Sequence, residues 1–272
     1  MILEYFDIII WPLMAAFVLT GIHVYLGLHV VTRGVIFVDL ALAQVAALGM
    51  AVGVLLGFDH AEGIMYFLAL GFTFLGALLF SYTRSVNERV PQEAIIGITY
   101  VVSAAVMILL FSKSPEGAEH LNHLLVGSIL FVTPKEVFQT FMLYAVIGGF
   151  HWRFRTEFLA VSDSQNNGKS DVNRKLWDFL FYITFGFVVT SSVKIAGVLL
   201  VFSFLIVPAI GALLFVEGIS SRLIFGWIFG LVGSILGMLA SLLLDIPTGA
   251  AIVVTFGFML VIAWLFRPKG TD

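Results

Sequence analysis

The sequence predicts an all-α, polytopic integral membrane protein: a bundle of about eight or nine transmembrane helices forming a single domain over residues 1–272. Three observations carry that prediction. The chain is 60% hydrophobic and only 11% charged, whereas a soluble domain carries about 25% charged residues, so there is too little charge to cover a solvated surface. Mean hydropathy is +1.07. Apolar runs of roughly the 20 residues that a helix needs to cross hydrocarbon recur from one end to the other. The 14 Lys and Arg nearly balance the 17 Asp and Glu, which excludes the basic face that nucleic acids require. Cysteine is absent, which excludes disulfides, thiolate metal ligands and thiol catalysis.

Taken in order, the first run is Phe6–Leu28. Its lead-in, MILEYFDIII, is acidic rather than basic, so it reads as a retained span and not a cleaved signal. The second, Val35–Leu56, carries Asp39 and Gln44 inside the hydrocarbon stretch. A carboxylate at that depth is costly and normally faces a bundle interior or a water-filled path, so these two are the candidate translocation-path residues. Gly49, Gly53 and Gly57 follow at every fourth position and predict a seam for close helix packing. The third and fourth spans are Gly63–Tyr82 and Ala94–Phe111, the latter preceded by Glu93, a partner for a helix N-terminus. The fifth, Val137–Phe150, is short for a crossing. Leu176–Phe215 is too long for one span and divides most naturally at Lys194, into Leu176–Val193 and Ile195–Phe215. Pro208 within the latter removes a helix hydrogen bond and is a candidate hinge. Leu223–Leu244 carries the packing pairs Gly226/Gly230 and Gly233/Gly237. Gly249–Phe266 closes the set after a turn at Asp245 and Pro247. Leu124–Val132 is apolar but too short to cross, which suits a re-entrant or surface segment.

Basic residues favour cytoplasmic loops. With the N-terminus outside, Arg33, Arg84, Arg89, Arg153, Arg155, Lys169, Arg174, Lys175, Arg222, Arg267 and Lys269 fall inside, and only Lys113, Lys135 and Lys194 do not. The one long polar connection, Trp152 to Trp177, has an interfacial tryptophan at each end. By position and length alone it reads as an ordinary cytoplasmic connection, with a helix surface for a soluble partner as the second reading. The outer loops are acidic and hold imidazoles: Asp59, His60 and Glu62, then Glu116, Glu119, His120 and His123. Such groups suit zinc or manganese. Without a third placed ligand, a loop simply depleted of Lys and Arg is the better account. His23 and His29 read as bundle histidines with satisfied nitrogens, on different helix faces.

The blocks GVIFVDLALAQVAALG, EAIIGITYVVSAAVMILLFS, HLLVGSIL, VKIAGVLLVFSFLIVPAIGALL and LLLDIPTGAAIVV occur in this order. Together they resemble the permease subunits of bacterial ATP-binding-cassette metal-ion importers, the zinc/manganese type. The likeness runs from about Arg33 to Val254. It implies a helical subunit of the cytoplasmic (inner) membrane that pairs with a second copy as a homodimer. It further implies cytoplasmic ATP-binding subunits and an extracytoplasmic metal-binding protein as partners. It makes the Trp152–Trp177 loop the place of ATPase contact, with Glu157, Phe158, Leu159 and Ala160 as the coupling residues. The family's glycine shortly after that alanine is replaced by a polar insert. The family's second helix places an aspartate and a histidine four residues apart. Alignment through Gly49 sets Leu40 and Gln44 on those positions, with Asp39 one residue early. Positions 39 and 44 are about 140° apart on an ideal helix. A local distortion of the helix, a weaker path or a different substrate would each account for that.

The expected function is transport of a divalent metal ion, zinc first, manganese or iron next, with no bound cofactor and no bond chemistry on this chain. No GxxxxGK[ST] loop is present, so ATP hydrolysis belongs to another subunit. A siderophore- or cobalamin-type permease and an ion-coupled secondary carrier are the alternatives. A metalloprotease would need a His-Glu-x-x-His helix, which the chain lacks.

Overall fold

The computed structural model describes residues 2–58, 62–84, 90–112, 129–162 and 173–268. The described residues form nine helices and one 3-10 turn: α1 (Ile2–Arg33), α2 (Val38–Leu55), α3 (Glu62–Thr83), α4 (Gln92–Phe111), the turn Ile129–Phe131, α5 (Pro134–Arg153), α6 (Arg155–Ser162), α7 (Arg174–Phe215), α8 (Ile219–Leu244) and α9 (Thr248–Leu265). Among them, seven helices are long and apolar enough to cross a bilayer. α5 is not one of the seven, yet its 20 residues give about 30 Å of helix, the thickness of the hydrocarbon core. Side chains such as Phe67 (73% exposed) and Leu243 (83% exposed) lie on outer faces, an arrangement that lipid tolerates and water does not.

Local chemistry explains most of the boundaries. α5 starts with a capping box: Thr133 Oγ1 accepts from the Glu136 N–H (3.3 Å), while Glu136 Oε2 accepts from the Thr133 N–H (3.0 Å). Pro134 then occupies the first helical position, where a missing N–H costs nothing. α2 ends in a Schellman motif, with Phe58 N–H on Gly53 O and Gly57 N–H on Val54 O, both 3.0 Å. α8 ends with Asp245 left-handed (φ 53°), and Pro247 caps α9. Ser241 Oγ ties that turn together by donating to Ile246 O (2.6 Å).

Two compact units divide the chain. The first takes α1 as far as Val31, the 3-10 turn, α5 to Gly148, α7 from Lys194, and α8 and α9. Here glycines let backbones approach. A Cβ at Gly237 would stand 2.5 Å from Ile252 Cα, and one at Gly230 would stand 2.6 Å from Thr20 Cγ2 and 3.4 Å from Pro208 Cγ. α7 continues through Lys194 and breaks three residues later, at Gly197 (φ 75°, ψ 163°), a backbone region essentially reserved for glycine. The expected hinge, Pro208, lies within the helical second half of α7, and its carbonyl comes 3.4 Å from where a Gly226 Cβ would stand. The interior break of this helix therefore belongs to Gly197, and Pro208 packs against the α8 glycines. His23 is fully buried, with Nδ1 2.7 Å from Leu19 O and its ring edge-on to Tyr144. His29 is also buried, edge-on to Tyr25.

The second unit holds Thr32 and Arg33, α2, α3, α4, the end of α5, α6 and α7 to Val193. Its closest helix pair is α2 and α3. A Cβ at Gly49 would sit 2.7 Å from Leu68 O and 3.0 Å from Phe72 Cβ, and one at Gly53 would collide with Met65 Sδ. Gly57 is not part of this seam. It follows α2, has φ 79° and has open space around it, so it supplies the left-handed turn that stops the helix. Farther along α3, Thr73 Oγ1 meets Thr190 Oγ1 of α7 at 3.1 Å.

Candidate functional site: the start of α2 and the α6 cradle

α2 begins after a left-handed Gly34 (φ 67°) and a turn closed by Val38 N–H on Val35 O. Its N-cap residue, Phe37, has no side chain able to cap. An acceptor comes instead from α4, where Glu93 Oε1 accepts from the Phe37 N–H at 3.0 Å. Glu93 is thus a helix-terminus partner, as expected, but for α2 across the unit as well as by position in α4's own first turn.

Asp39 occupies the first turn of α2 and is 2% exposed. Asp39 Oδ1 and Glu93 Oε2 are both buried without a hydrogen-bond partner. Gln44 is 5% exposed on the same helix. No local distortion brings Asp39 round to the face of Gln44, because α2 is regular from Val38 to Leu55. The two polar groups therefore point about 140° apart, and one ion cannot be gripped by both at once. Among the described residues, no group of three or more His, Asp or Glu side chains could hold a metal. Asp59, His60, Glu116, Glu119, His120 and His123 lie outside the described residues, as does the polar insert at 163–172.

α6 forms within the Trp152–Trp177 stretch, and its four candidate coupling residues divide by exposure. Phe158 is fully buried. It stacks on His151 at 3.9 Å, with Phe150 and Trp177 packed around it. Its ring anchors α6 and cannot itself be an outward contact. His151 is held in turn by Thr184 Oγ1 at 2.8 Å. Leu159 is 38% exposed, and Glu157 and Ala160 are partly exposed. The hydroxyl of Thr156 donates to Glu157 Oε2 (2.6 Å), which holds that carboxyl below the usual glutamate range.

Sequence reasoning overlooked the group next to α6. Asp178, in the first turns of α7, is bound by two arginines: Arg33 Nη1 at 3.0 Å, and Arg84 Nη1. Arg33 also donates from Nε to Ser162 Oγ (2.8 Å) and lies 3.8 Å over the Phe181 ring. Arg84 Nη2 donates to Val161 O (3.1 Å). Beside them, Gln92 Nε2 donates to Phe80 O and to Tyr182 Oη. The one available signal was Asp178 itself, a carboxylate inside an apolar span.

Comparison with known proteins bears on the chain as a whole. The ABC 3 transport family model matches residues 5–267. A "Manganese transport system membrane protein MntC" of Listeria monocytogenes is 26% identical over 90% of this chain and 85% of its own length. A "Probable iron transport system membrane protein" of Haemophilus influenzae is 25% identical over 92% of this chain and 90% of its own. Among solved structures, PsaBC from Streptococcus pneumoniae in complex with Fab has the same fold, with a TM-score of 0.80, 24% identity and coverage of 99% of this chain and 97% of that one. The family match over residues 5–267 speaks for a permease of the ABC type. The chain is a multi-pass protein of the bacterial cytoplasmic membrane and belongs to the ABC 3 transport family.

Proposed function

We propose that this chain is the permease subunit of an ATP-binding-cassette importer that carries a divalent metal ion inward, manganese in preference and iron second. The observation that carries the reading is Asp39, a buried carboxylate near the start of a membrane helix with one oxygen unpartnered. Such a group in a membrane span is kept for an ion path. The nearby donors are oxygens: Asp39, Glu93 and the Gln44 amide. Carboxylate and carbonyl oxygens suit manganese, while imidazole suits zinc better. Zinc, the first expectation, also lacks support from the relatives' names, which speak of manganese or iron. Donors met one after another, rather than a closed cage, allow an ion to enter and leave. In this reading a second copy of the chain completes the passage, ATP-binding subunits dock around α6 through Leu159 and its exposed neighbours, and an external binding protein delivers the ion.

The test is uptake into proteoliposomes holding this chain with its ATP-binding subunits and binding protein, supplied in turn with manganese, iron(II) and zinc. ATP-dependent manganese uptake is expected. Asp39→Asn, which keeps the shape and removes the charge, should slow it about tenfold or more, the effect of removing one charged interaction at the barrier. Wild-type uptake by that variant removes Asp39 from the route, and preferential zinc uptake overturns the ion assignment.

A further inference from the structure

We infer that the Arg33–Asp178–Arg84 cluster is a transmission joint that carries displacement of α6 to the start of α2, where Asp39 sits. The inference rests on the proposed transport function for the source of that displacement, but its geometry stands separately.

Both arginines grip the last residues of α6. Arg33 reaches Ser162 Oγ and Arg84 reaches the Val161 carbonyl. The end of a helix presents unpaired carbonyls and the negative pole of its dipole, so cations bind well there. Both also share Asp178, which fixes the start of α7 to the same point. The side chains of Arg33 and Asp178 are 0% and 5% exposed, and that of Arg84 is 20%. Salt and water therefore screen the cluster little. Two cations on one anion make a poor device for stability alone, since apolar side chains of similar volume would hold the helices as well or better. They make a good device for all-or-none engagement, because removing the carboxylate leaves two guanidinium groups facing each other.

From Arg33 the chain has little slack before α2. Gly34 takes a left-handed turn, Val38 N–H closes on Val35 O, and Phe37 N–H is clamped by Glu93. Arg33 is itself roofed by Phe181. A shift of α6 that pulls Arg33 must move the first turn of α2, and Asp39 with it.

The experiment measures ions imported per ATP hydrolysed by the assembled transporter in proteoliposomes, using manganese as the ion. Asp178→Asn should lower that ratio about tenfold while ATP hydrolysis stays within about twofold of wild type. Asp178→Glu should restore most of it. Arg84→Gln and Ser162→Ala, each removing one grip on α6, should lower the ratio by smaller factors. If Asp178→Asn fails to assemble, the latter two decide, and an unchanged ratio in both overturns the joint. Uptake and hydrolysis falling in parallel, with the ratio intact, also overturns it, since that is what general loosening produces. A wild-type complex without ATP-driven uptake would instead sink the transport reading, and the joint with it, before any substitution is compared.

Discussion

Gly49→Ala isolates the closest approach of α2 and α3. The added methyl would lie 2.7 Å from Leu68 O, 3.0 Å from Leu68 C and 3.0 Å from Phe72 Cβ. Two of those three atoms are backbone, so no rotamer change relieves them. Restoring an ordinary separation of about 3.4 Å needs the helices to part by roughly 0.7 Å, forfeiting dispersion along the seam, and overpacking of this kind costs about 1–3 kcal/mol. Gly53→Ala is the control. Its methyl would meet the Met65 thioether, a flexible chain that can swing aside, so the cost should stay below about 1 kcal/mol. Thermal unfolding in detergent, followed by loss of the monodisperse peak, should place Gly49→Ala several degrees below wild type and Gly53→Ala close to it. Equal stability of the two variants, or the reverse order, would refute the argument that backbone contact, rather than glycine spacing, makes the seam.

Two further outcomes follow from the site. Glu93→Ala strips a side-chain acceptor from the α2 N-terminus, which should cost about 0.5–2 kcal/mol and slow uptake together with the melting shift, whereas Glu93→Gln should retain most of both. Phe158→Ala empties a fully buried ring site at about 3–5 kcal/mol and should loosen α6 to limited proteolysis, while Leu159→Ala should leave the melting temperature unchanged and weaken co-purification of the ATP-binding subunits.

The spans were legible because apolar length is a one-dimensional property of the chain. Breaks within them were less so. Lys194 attracted the division of α7 by its charge, yet long cationic side chains can extend to the membrane surface without interrupting a helix, and the break fell at Gly197, where backbone conformation decides. Gly57 shows the same limit. Its spacing continues the Gly49 and Gly53 series, but α2 ends two residues earlier, and the glycine is used for its positive φ. Asp39 and Gln44 were found because isolated polar groups stand out against hydrocarbon. Asp178 was not, because its partner Arg33 lies 145 residues away and only the folded chain reveals the pair. The burial of Phe158 was likewise invisible, since an eight-residue amphipathic segment does not announce which face turns inward.

The place of Asp39 in the first turn of α2 has an electrostatic corollary. A helix start carries about half a unit of positive charge, which favours a carboxylate placed there. In the proposed transport reading, an arriving dication would compete with the peptide dipoles for that carboxylate. Such a grip would be shallow, and a change in the tilt of α2 would strengthen or cancel it.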